Sequence, residues 1–201
     1  YNEFLTNNFI EIIVPEIVKN NLIKILKLNS KILIIKINSP GGTITATHTL
    51  EKILNNFNKK NNTKIYFYSD EILASGGYWV ATTGEKIYAN YGSIIGSIGV
   101  SGPSWYYYNK PISISNGIFG RSIDTKNEIQ VFDQNAGNSK DLFNPFRKPT
   151  NKELDHLQTI VNEIYNDFLI KVSNSRKIEI NNLKYEIGAL IYSSKQAKDK
   201  F

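Results

Sequence analysis

The sequence has 201 residues, a formal net charge of +6 and 41% hydrophobic residues. This size and apolar fraction suit one compact α/β domain with a sizeable core and leave little room for two domains. Because the lysines are spread along the chain, the positive charge indicates a solvated basic surface and argues only weakly for a nucleic-acid partner. The absence of cysteine from the sequence excludes disulfides, thiolate catalysis and cysteine-bound metals.

The sequence carries neither a membrane-spanning stretch nor a signal peptide. No segment approaches the roughly 18 to 20 uninterrupted apolar residues that cross a bilayer, and the chain starts at Tyr1 without a signal-peptide pattern. It also contains no methionine. We therefore expect residues 1–201 to be a single-domain internal fragment of a longer protein, from which an upstream anchor or targeting segment is missing.

The first half of the chain alternates predicted strands with predicted helices. The β-branched run at 31–37 is typical of a strand buried on both faces of a parallel sheet. Such alternation predicts a mostly parallel sheet with its active turns at the carboxyl ends of strands. The other predicted elements are an apolar run at 9–14, helices at 16–28, 43–57 and 78–81, and strands at 64–68 and 86–89.

The second half is harder to interpret until residue 150. Residues 92–138 show little periodicity, and only 112–114 and 129–132 suggest short strands. Thr150 and Glu153 then form a capping box. One apolar stripe follows and predicts a long amphipathic helix; it consists of Leu154, Leu157, Val161, Ile164, Phe168 and Val172.

Two glycine-rich turns follow predicted strands. Leu73-Ala-Ser-Gly-Gly-Tyr78 places Ser75 after a connection at 69–74 and before a helix, and its glycines let the backbone approach a substrate closely. An exposed nucleophilic serine is one interpretation, and an ordinary Gly-Gly turn is the other. If Ser75 is a nucleophile, acyl transfer also needs at least two donors for the oxyanion. The amide of Gly76 and one from the Gly41-Gly42 pair, with Gly42 favoured, are the candidates.

Three blocks in order resemble the signal peptide peptidase A family, also called protease IV. They are Asn38-Ser-Pro-Gly-Gly42, Ala74-Ser-Gly-Gly-Tyr78 and Gly96-Ser-Ile-Gly-Val100, and the resemblance extends from about residue 9 to the C-terminus. The resemblance implies a ClpP/crotonase-like α/β fold, with a mostly parallel sheet and flanking helices in a single domain. Residues 188–201 are similar to the family's closing segment and stop where a Leu-Ile-Asp-like strand is expected.

The resemblance also implies a lysine general base. The family's lysine lies in a Gly-x-x-Lys-Asp block ahead of the long helix, and Gly137-Asn-Ser-Lys140-Asp141 is similar to it. Lys140 is therefore the expected base, with a solvated loop lysine as the alternative and Lys126 and Lys148 as rivals. Ser97 corresponds to the auxiliary serine that orients the lysine amine, unless it marks a plain junction between a strand and a loop.

A histidine base is the other possibility that the sequence offers. The sequence contains only two histidines, His48 and His156. His48 falls in the helix after the first glycine turn and His156 near the start of the amphipathic helix. Neither lies shortly after the helix of the proposed nucleophile, where ClpP-like proteases have their histidine. Solvated helix residues are the simpler interpretation of both.

By this resemblance, the chain is a serine endopeptidase with a Ser-Lys dyad that needs no metal or cofactor. Its expected substrates are cleaved signal peptides and other short apolar peptides. Its expected location is the outer face of the bacterial inner membrane, in a homo-oligomeric ring anchored by a segment absent from this chain. Three alternatives stay open: a crotonase-type acyl-CoA enzyme, a membrane-bound serine protease of the group with an NfeD-like domain, and a catalytically silent or assembly subunit.

Overall fold

A computed structural model describes residues 15–26, 30–108, 115–117, 120–122 and 134–201. Its helices are α1 (Pro15–Leu26), α2 (Ile44–Asn61), α3 (Gly76–Ala81), α4 (Asn151–Arg176), α5 (Ile180–Asn182) and α6 (Ser194–Lys200), with a π-helical turn at Leu183–Ile187. Its strands are β1 (Ile32–Lys36), β2 (Lys64–Ser69), β3 (Ile72–Ala74), β4 (Lys86–Ala89), β5 (Ile94–Gly96), β6 (Ser115–Gly117), β7 (Gly120–Ser122) and β8 (Ile191–Ser193).

Six of the described strands form two three-stranded sheets. One has the order β1-β2-β4 and is parallel throughout. The other has the order β3-β5-β8, with β3 and β5 parallel and β8 antiparallel to β5. The chain after β1 runs beside β3, since the amide of Ser39 donates to Ile72 O at 2.7 Å and the amide of Ala74 donates to Ser39 O at 2.9 Å. This pairing places the two glycine-rich turns side by side.

The predicted helices and the predicted parallel pairing are confirmed, except that residues 27 and 28 of the first predicted helix lie outside the described residues. The strands β5 and β8 were not predicted. Two further details are wrong. Residues 72–74, predicted as part of a connection, form β3, because three apolar residues are too few to show a strand periodicity. The strand at 31–37 is not buried on both faces. Ile32 and Ile34 are 57% and 69% exposed, since β1 has only β2 as a strand neighbour and no described element covers that face.

The core lies among β2, β3 and the helices α2, α3 and α4. Phe168 and Val172 of α4 are at most 1% exposed, whereas Leu154 at the other end of the predicted stripe is 44% exposed. The capping box at Thr150 and Glu153 is confirmed, with the amide of Glu153 donating to Thr150 Oγ1 and that of Thr150 donating to Glu153 Oε2. The long helix is therefore confirmed, but only its C-terminal half contributes to the core.

The chain divides into two compact units. The first comprises the chain up to Val100 together with Tyr165–Phe201, and the second comprises Ser101–Ile164. The predicted run at 9–14, the predicted strands at 112–114 and 129–132, and Lys126 lie outside the described residues. In the ranges that the structure describes, no helix combines the length and apolar character needed to cross a membrane.

Candidate active site

Ser75 occupies a strained position between β3 and α3. Its backbone has φ 51° and ψ −127°, a conformation that residues other than glycine rarely adopt. Hydrogen bonds on both sides hold it there, since its amide donates to Gly96 O of β5 and its carbonyl accepts from the amide of Trp79, both at 3.0 Å. Every residue of α3 is buried. Strain of this kind persists only where the surrounding structure fixes it, and such positions cluster at active sites.

Gly41 packs directly against the side chain of Ser75. Its φ is 126°, and a Cβ added to it would lie 2.8 Å from Ser75 Cβ and 3.1 Å from Ser75 Oγ. The hydroxyl of Ser39 accepts a hydrogen bond from the Gly41 amide at 3.2 Å. No side chain therefore fits at position 41 without displacing Ser75.

The amides predicted as oxyanion donors are neighbours. Gly76 is the first residue of α3, so its N–H has no acceptor within the helix. A Cβ on Gly76 would lie 3.4 Å from the amide nitrogen of Gly42 and 2.5 Å from Thr47 Oγ1. The structure thus brings Ser75, Gly76 and Gly42 together, while their chemical roles remain predictions.

Asn38 connects the first glycine turn to the β2–β3 turn. Its Oδ1 accepts from Ser69 Oγ at 3.0 Å and from the amides of Asp70 and Glu71 at 3.2 Å, and its Nδ2 donates to Asp70 Oδ1 at 2.6 Å. Lys36 pairs with Asp70 at 2.7 Å. The hydrogen bond from Lys36 and the one from Asn38 lower the pKa of Asp70. Although Asn38 belongs to a recognised motif, the sequence did not indicate this positioning role.

Ser97 also lies in the first unit, at the end of β5. Its φ is 53°, its amide donates to Leu190 O at 2.8 Å, and its carbonyl accepts from the amide of Gly99 at 2.9 Å. Ser97 follows Gly96, whose carbonyl binds the amide of Ser75. The predicted auxiliary serine is therefore one residue from a direct backbone contact with the predicted nucleophile.

Lys140 belongs to the second unit, in a tight turn that begins at Gly137. The amide of Lys140 donates to Gly137 O at 3.3 Å, and its side chain is exposed. The turn has positive φ at Gly137, Ser139 and Phe143, of 102°, 59° and 68°. A compact local structure thus presents Lys140, and its pairing with Ser75 remains a prediction.

Arg147 fixes this turn to the start of α4 through two forked ion pairs. Its Nε and Nη2 donate to the carboxylate of Asp141 at 2.6 and 2.7 Å. Its Nη1 and Nη2 donate to Glu153 at 2.9 and 2.7 Å, and the guanidinium lies 5.1 Å from the centroid of the Trp105 ring. The hydrogen bonds from Arg147 lower the pKa of both Asp141 and Glu153. Since Asp141 follows Lys140 directly, Arg147 is well placed to hold the lysine backbone.

The other described candidates for the general base are exposed. His48 is exposed on α2 and His156 is exposed on α4, which agrees with their interpretation as solvated helix residues. Lys148 is exposed, with its Nζ 5.6 Å from the centroid of the Tyr107 ring.

A network of charged and aromatic side chains next to α3 was not predicted from the sequence. Glu51 of α2 is 4% exposed. Its carboxylate accepts from Trp79 Nε1 at 3.0 Å and forms an ion pair with Lys171 of α4. The Trp79 ring stacks on Phe168 with centroids 4.9 Å apart. Because a glutamate within a helix ordinarily reads as a surface residue, nothing local predicted that Glu51 joins three helices.

Comparisons with known proteins agree with the resemblance. Residues 57–200 match the model of Peptidase family S49. A Methanocaldococcus jannaschii protein provisionally named a protease is 33% identical over 162 residues, covering 81% of this chain and 47% of that protein. An Enterococcus faecium protein provisionally named signal peptide peptidase SppA is 28% identical over 164 residues, covering 82% and 44%. The chain therefore spans about half the length of these two curated relatives.

A solved structure is similar in fold. A ClpP1 mutant from Listeria monocytogenes aligns with a TM-score of 0.57 at 12% identity, covering 92% of this chain and 79% of that one. This likeness confirms the predicted class, a ClpP-like α/β fold with a mostly parallel sheet and flanking helices.

Proposed function

Because the chain belongs to peptidase family S49, we propose that it hydrolyses peptide bonds through an acyl-enzyme formed on Ser75. The observation that carries this proposal is the backbone of Ser75, which has a positive φ and lies in one glycine-rich turn, packed against Gly41 of the other. A plain glycine bend has no need of a strained serine. The strain and the close approach of Gly41 both serve to aim one hydroxyl.

The amides of Gly76 and Gly42 are assigned to the oxyanion. When Ser75 Oγ attacks the substrate carbonyl, its oxygen becomes negatively charged and accepts hydrogen bonds from both N–H groups. Donors that are already in place cost no reorganisation during the reaction, and losing one typically costs about 3 kcal/mol of transition-state stabilisation. The covalent acyl-enzyme divides the hydrolysis into two easier steps.

Lys140 is assigned as the general base, with Ser97 orienting its amine. Lys140 accepts the Ser75 proton, donates a proton to the leaving amine, and then activates the hydrolytic water. A lysine amine has an ordinary pKa of about 10.4, so it must lose solvent to act as a base near neutral pH. Since Lys140 is exposed in the single chain, we expect bound peptide or a neighbouring subunit to supply that burial.

Cleaved signal peptides and other short apolar peptides are the proposed substrates. The name of the Enterococcus faecium relative supports this substrate class, and the ClpP-like fold supports assembly into a homo-oligomeric ring. We place this catalytic domain on the outer face of the bacterial inner membrane, held there by a segment outside the chain. Proteolysis by the dyad requires no metal or cofactor.

A fluorophosphonate probe with intact-mass detection tests the nucleophile. One adduct is expected on the parent protein, none on Ser75→Ala, and a normal adduct on Ser101→Ala, which changes an exposed serine of the second unit. An adduct of normal yield on Ser75→Ala would overturn the proposal. Tight binding of coenzyme A without labelling would instead favour the acyl-CoA alternative.

Hydrolysis of a fluorogenic apolar peptide tests the base. Lys140→Ala is expected to abolish turnover while circular dichroism shows an intact fold, and the exposed Lys148→Ala serves as the matched control. If Lys140→Ala cleaves the peptide at the parent rate, the base is another residue.

A further inference from the structure

Ser39 is a buried polar residue in the first glycine turn that has no role in the proposed reaction so far. It is 6% exposed. Its backbone pairs with β3 in both directions, since its amide donates to Ile72 O and its carbonyl accepts from the amide of Ala74. A Cβ added to Gly77 of α3 would lie 2.8 Å from Ser39 Cβ. Ser39 is therefore held between the strand and the helix that flank Ser75.

The hydroxyl of Ser39 makes two hydrogen bonds to Gly41. It accepts from the Gly41 amide and donates to the Gly41 carbonyl oxygen, both at 3.2 Å. A hydroxyl has one proton to donate and two lone pairs that accept, so both bonds can form at once. The bond to the carbonyl oxygen restrains the peptide group that joins Gly41 to Gly42.

The same peptide group carries an N–H that is assigned to the oxyanion. A peptide group is planar and almost always trans, so the C=O of one residue and the N–H of the next point in opposite directions. While Gly41 O is held toward Ser39, the Gly42 N–H is aimed the opposite way. The Gly42 nitrogen lies 3.4 Å from the position that a Cβ on Gly76 would occupy, which places it beside the other assigned donor.

A peptide group between two glycines needs such a restraint. Neither residue has a side chain to limit rotation, and glycine adopts positive and negative φ about equally readily. In the described part of the chain, a Cβ added to Gly42 would have no heavy atom within 4 Å, so packing does not fix this side of the turn. A rotated peptide would turn the N–H away and present a carbonyl oxygen to the negatively charged oxyanion.

We propose that Ser39 is a positioning residue, whose hydroxyl keeps the Gly42 N–H pointing at the substrate oxygen by holding Gly41 O on the other side of the same peptide. The proposal rests on the proposed peptidase reaction and deepens it. Donors that are already in place cost no reorganisation during the reaction. Since Ser39 is clamped by β3 and α3, which flank Ser75, one side chain fixes this donor relative to the nucleophile.

Two substitutions separate the hydrogen bond from the space that the hydroxyl fills. Ser39→Ala removes the oxygen and keeps the Cβ that packs on Gly77, while Ser39→Cys retains an atom there but replaces the hydroxyl by a weak donor. Loss of an oxyanion donor outright lowers kcat by roughly a hundredfold to a thousandfold. A loosened donor should cost about tenfold in kcat for the fluorogenic peptide, with little change in KM, in both variants. Parent activity in Ser39→Cys would mean that the side chain only fills space, and the proposal would fail.

Ser93→Ala is the matched control for lost stability. Ser93 is buried, and its hydroxyl donates to Ser69 O at 3.1 Å, so this variant also loses a hydrogen bond from a buried serine to a backbone carbonyl. Thermal unfolding should show similar losses for Ser39→Ala and Ser93→Ala, while fluorophosphonate labelling should slow only in Ser39→Ala. Equal slowing in both variants would assign the effect to stability and overturn the positioning role.

NMR of protein made with ¹³C- and ¹⁵N-labelled glycine tests the restraint without using the reaction. The carbonyl signal of Gly41 and the amide signal of Gly42 should shift or broaden in Ser39→Ala and stay at parent positions in Ser93→Ala. Unchanged signals in Ser39→Ala would overturn the proposal even if activity falls.

The labelling results distinguish the two proposals. If the parent protein itself does not react with the fluorophosphonate, the peptidase proposal fails and the catalytic role of Ser39 fails with it. If the parent reacts and Ser39→Ala reacts equally fast, only the role of Ser39 is overturned.

Discussion

The turn that carries Ser75 and the turn that carries Lys140 are stabilised by different forces. Backbone hydrogen bonds from β5 and the fully buried helix α3 hold Ser75. The Lys140 turn is instead held by the charged side chains of Asp141, Arg147 and Glu153, in a segment where residues 134–140 are all exposed. Packing is insensitive to salt and to moderate pH changes, whereas partly exposed ion pairs respond to both.

If Ser75 is the nucleophile and Lys140 the base, the two groups are positioned by different means. A nucleophile must meet the carbonyl at a fixed angle, which a rigid, strained turn provides. A lysine base must lose solvent before it can work, and a turn held by partly exposed ion pairs responds to salt and pH more readily than a packed one. The predictions below separate packing from charge at the two turns.

Gly41→Ala, which disturbs the packed turn that carries Ser75, is expected to have the largest effect on reactivity. The new Cβ would lie 2.8 Å from Ser75 Cβ at a backbone φ of 126°, so the serine must move. A displacement of about 1 Å costs roughly a hundredfold in rate, and the fluorophosphonate labelling rate should fall by at least that factor.

A glycine outside the proposed site provides the control for this change. Gly92→Ala adds backbone strain at φ 89° in open space, which measures the cost of a positive φ alone. Equal losses in Gly41→Ala and Gly92→Ala would show that strain, and not contact with Ser75, is responsible.

The same difference explains how far the sequence predicted the site. The closeness of Ser75 to the other glycine-rich turn could be predicted because packed turns leave a local record: a short motif, and glycines wherever a backbone approaches closely. The partners of Asn38 and Glu51 lie 28 or more residues away along the chain. Arg147 pairs with Asp141 in a loop and with Glu153 in the first turn of α4. Charged pairs formed by folding leave no spacing to detect, so these positioning contacts could not be predicted.

Arg147→Lys weakens the ion pairs that hold the Lys140 turn, and it should have the next largest effect on activity. Lysine keeps the positive charge but cannot fork to Asp141 and Glu153 at once, so the Lys140 turn should loosen. If Lys140 is the base, kcat for an apolar peptide should fall by about tenfold with little change in KM, since the base acts in the chemical step.

Hydrogen exchange of the turn distinguishes this cause from a general loss of stability. Amides at 137–143 should exchange faster in Arg147→Lys, while those of α3 stay unchanged. The exposed Lys148→Ala is the control and should leave both kcat and exchange at parent values. Faster exchange of the turn with an unchanged kcat would show that the held geometry is not needed for catalysis.

Glu51→Gln tests a charged contact that supports the packed turn. The amide oxygen can still accept from Trp79 Nε1, but Lys171 loses its partner, and the neighbouring site becomes less stable. Because the Lys171 side chain is 45% exposed and is screened by water, we expect a loss of only about 1 kcal/mol in the free energy of unfolding. Urea unfolding measures it, and the exposed Lys52→Ala on the same helix should be neutral. A loss no larger than that of Lys52→Ala would remove Glu51 from the support of α3.

Lowering the pH is expected to have the smallest effect, a loss of stability of the Lys140 turn. The pKa values of Asp141 and Glu153 are lowered from ordinary values of 3.8 and 4.5, chiefly by Arg147. Each carboxylate therefore stabilises the folded turn above its ordinary pKa, and this stabilisation is lost as the pH falls through the lowered value.

Trp105, which stacks on Arg147, reports the change by fluorescence in a Trp79→Phe background. Its signal should stay constant from pH 7 to about pH 5 and change only below about pH 4. In Arg147→Gln the transition should begin at higher pH, because both carboxylates lose the hydrogen bonds that lower their pKa most. A transition at the same pH in both proteins would mean that Arg147 does not control the turn.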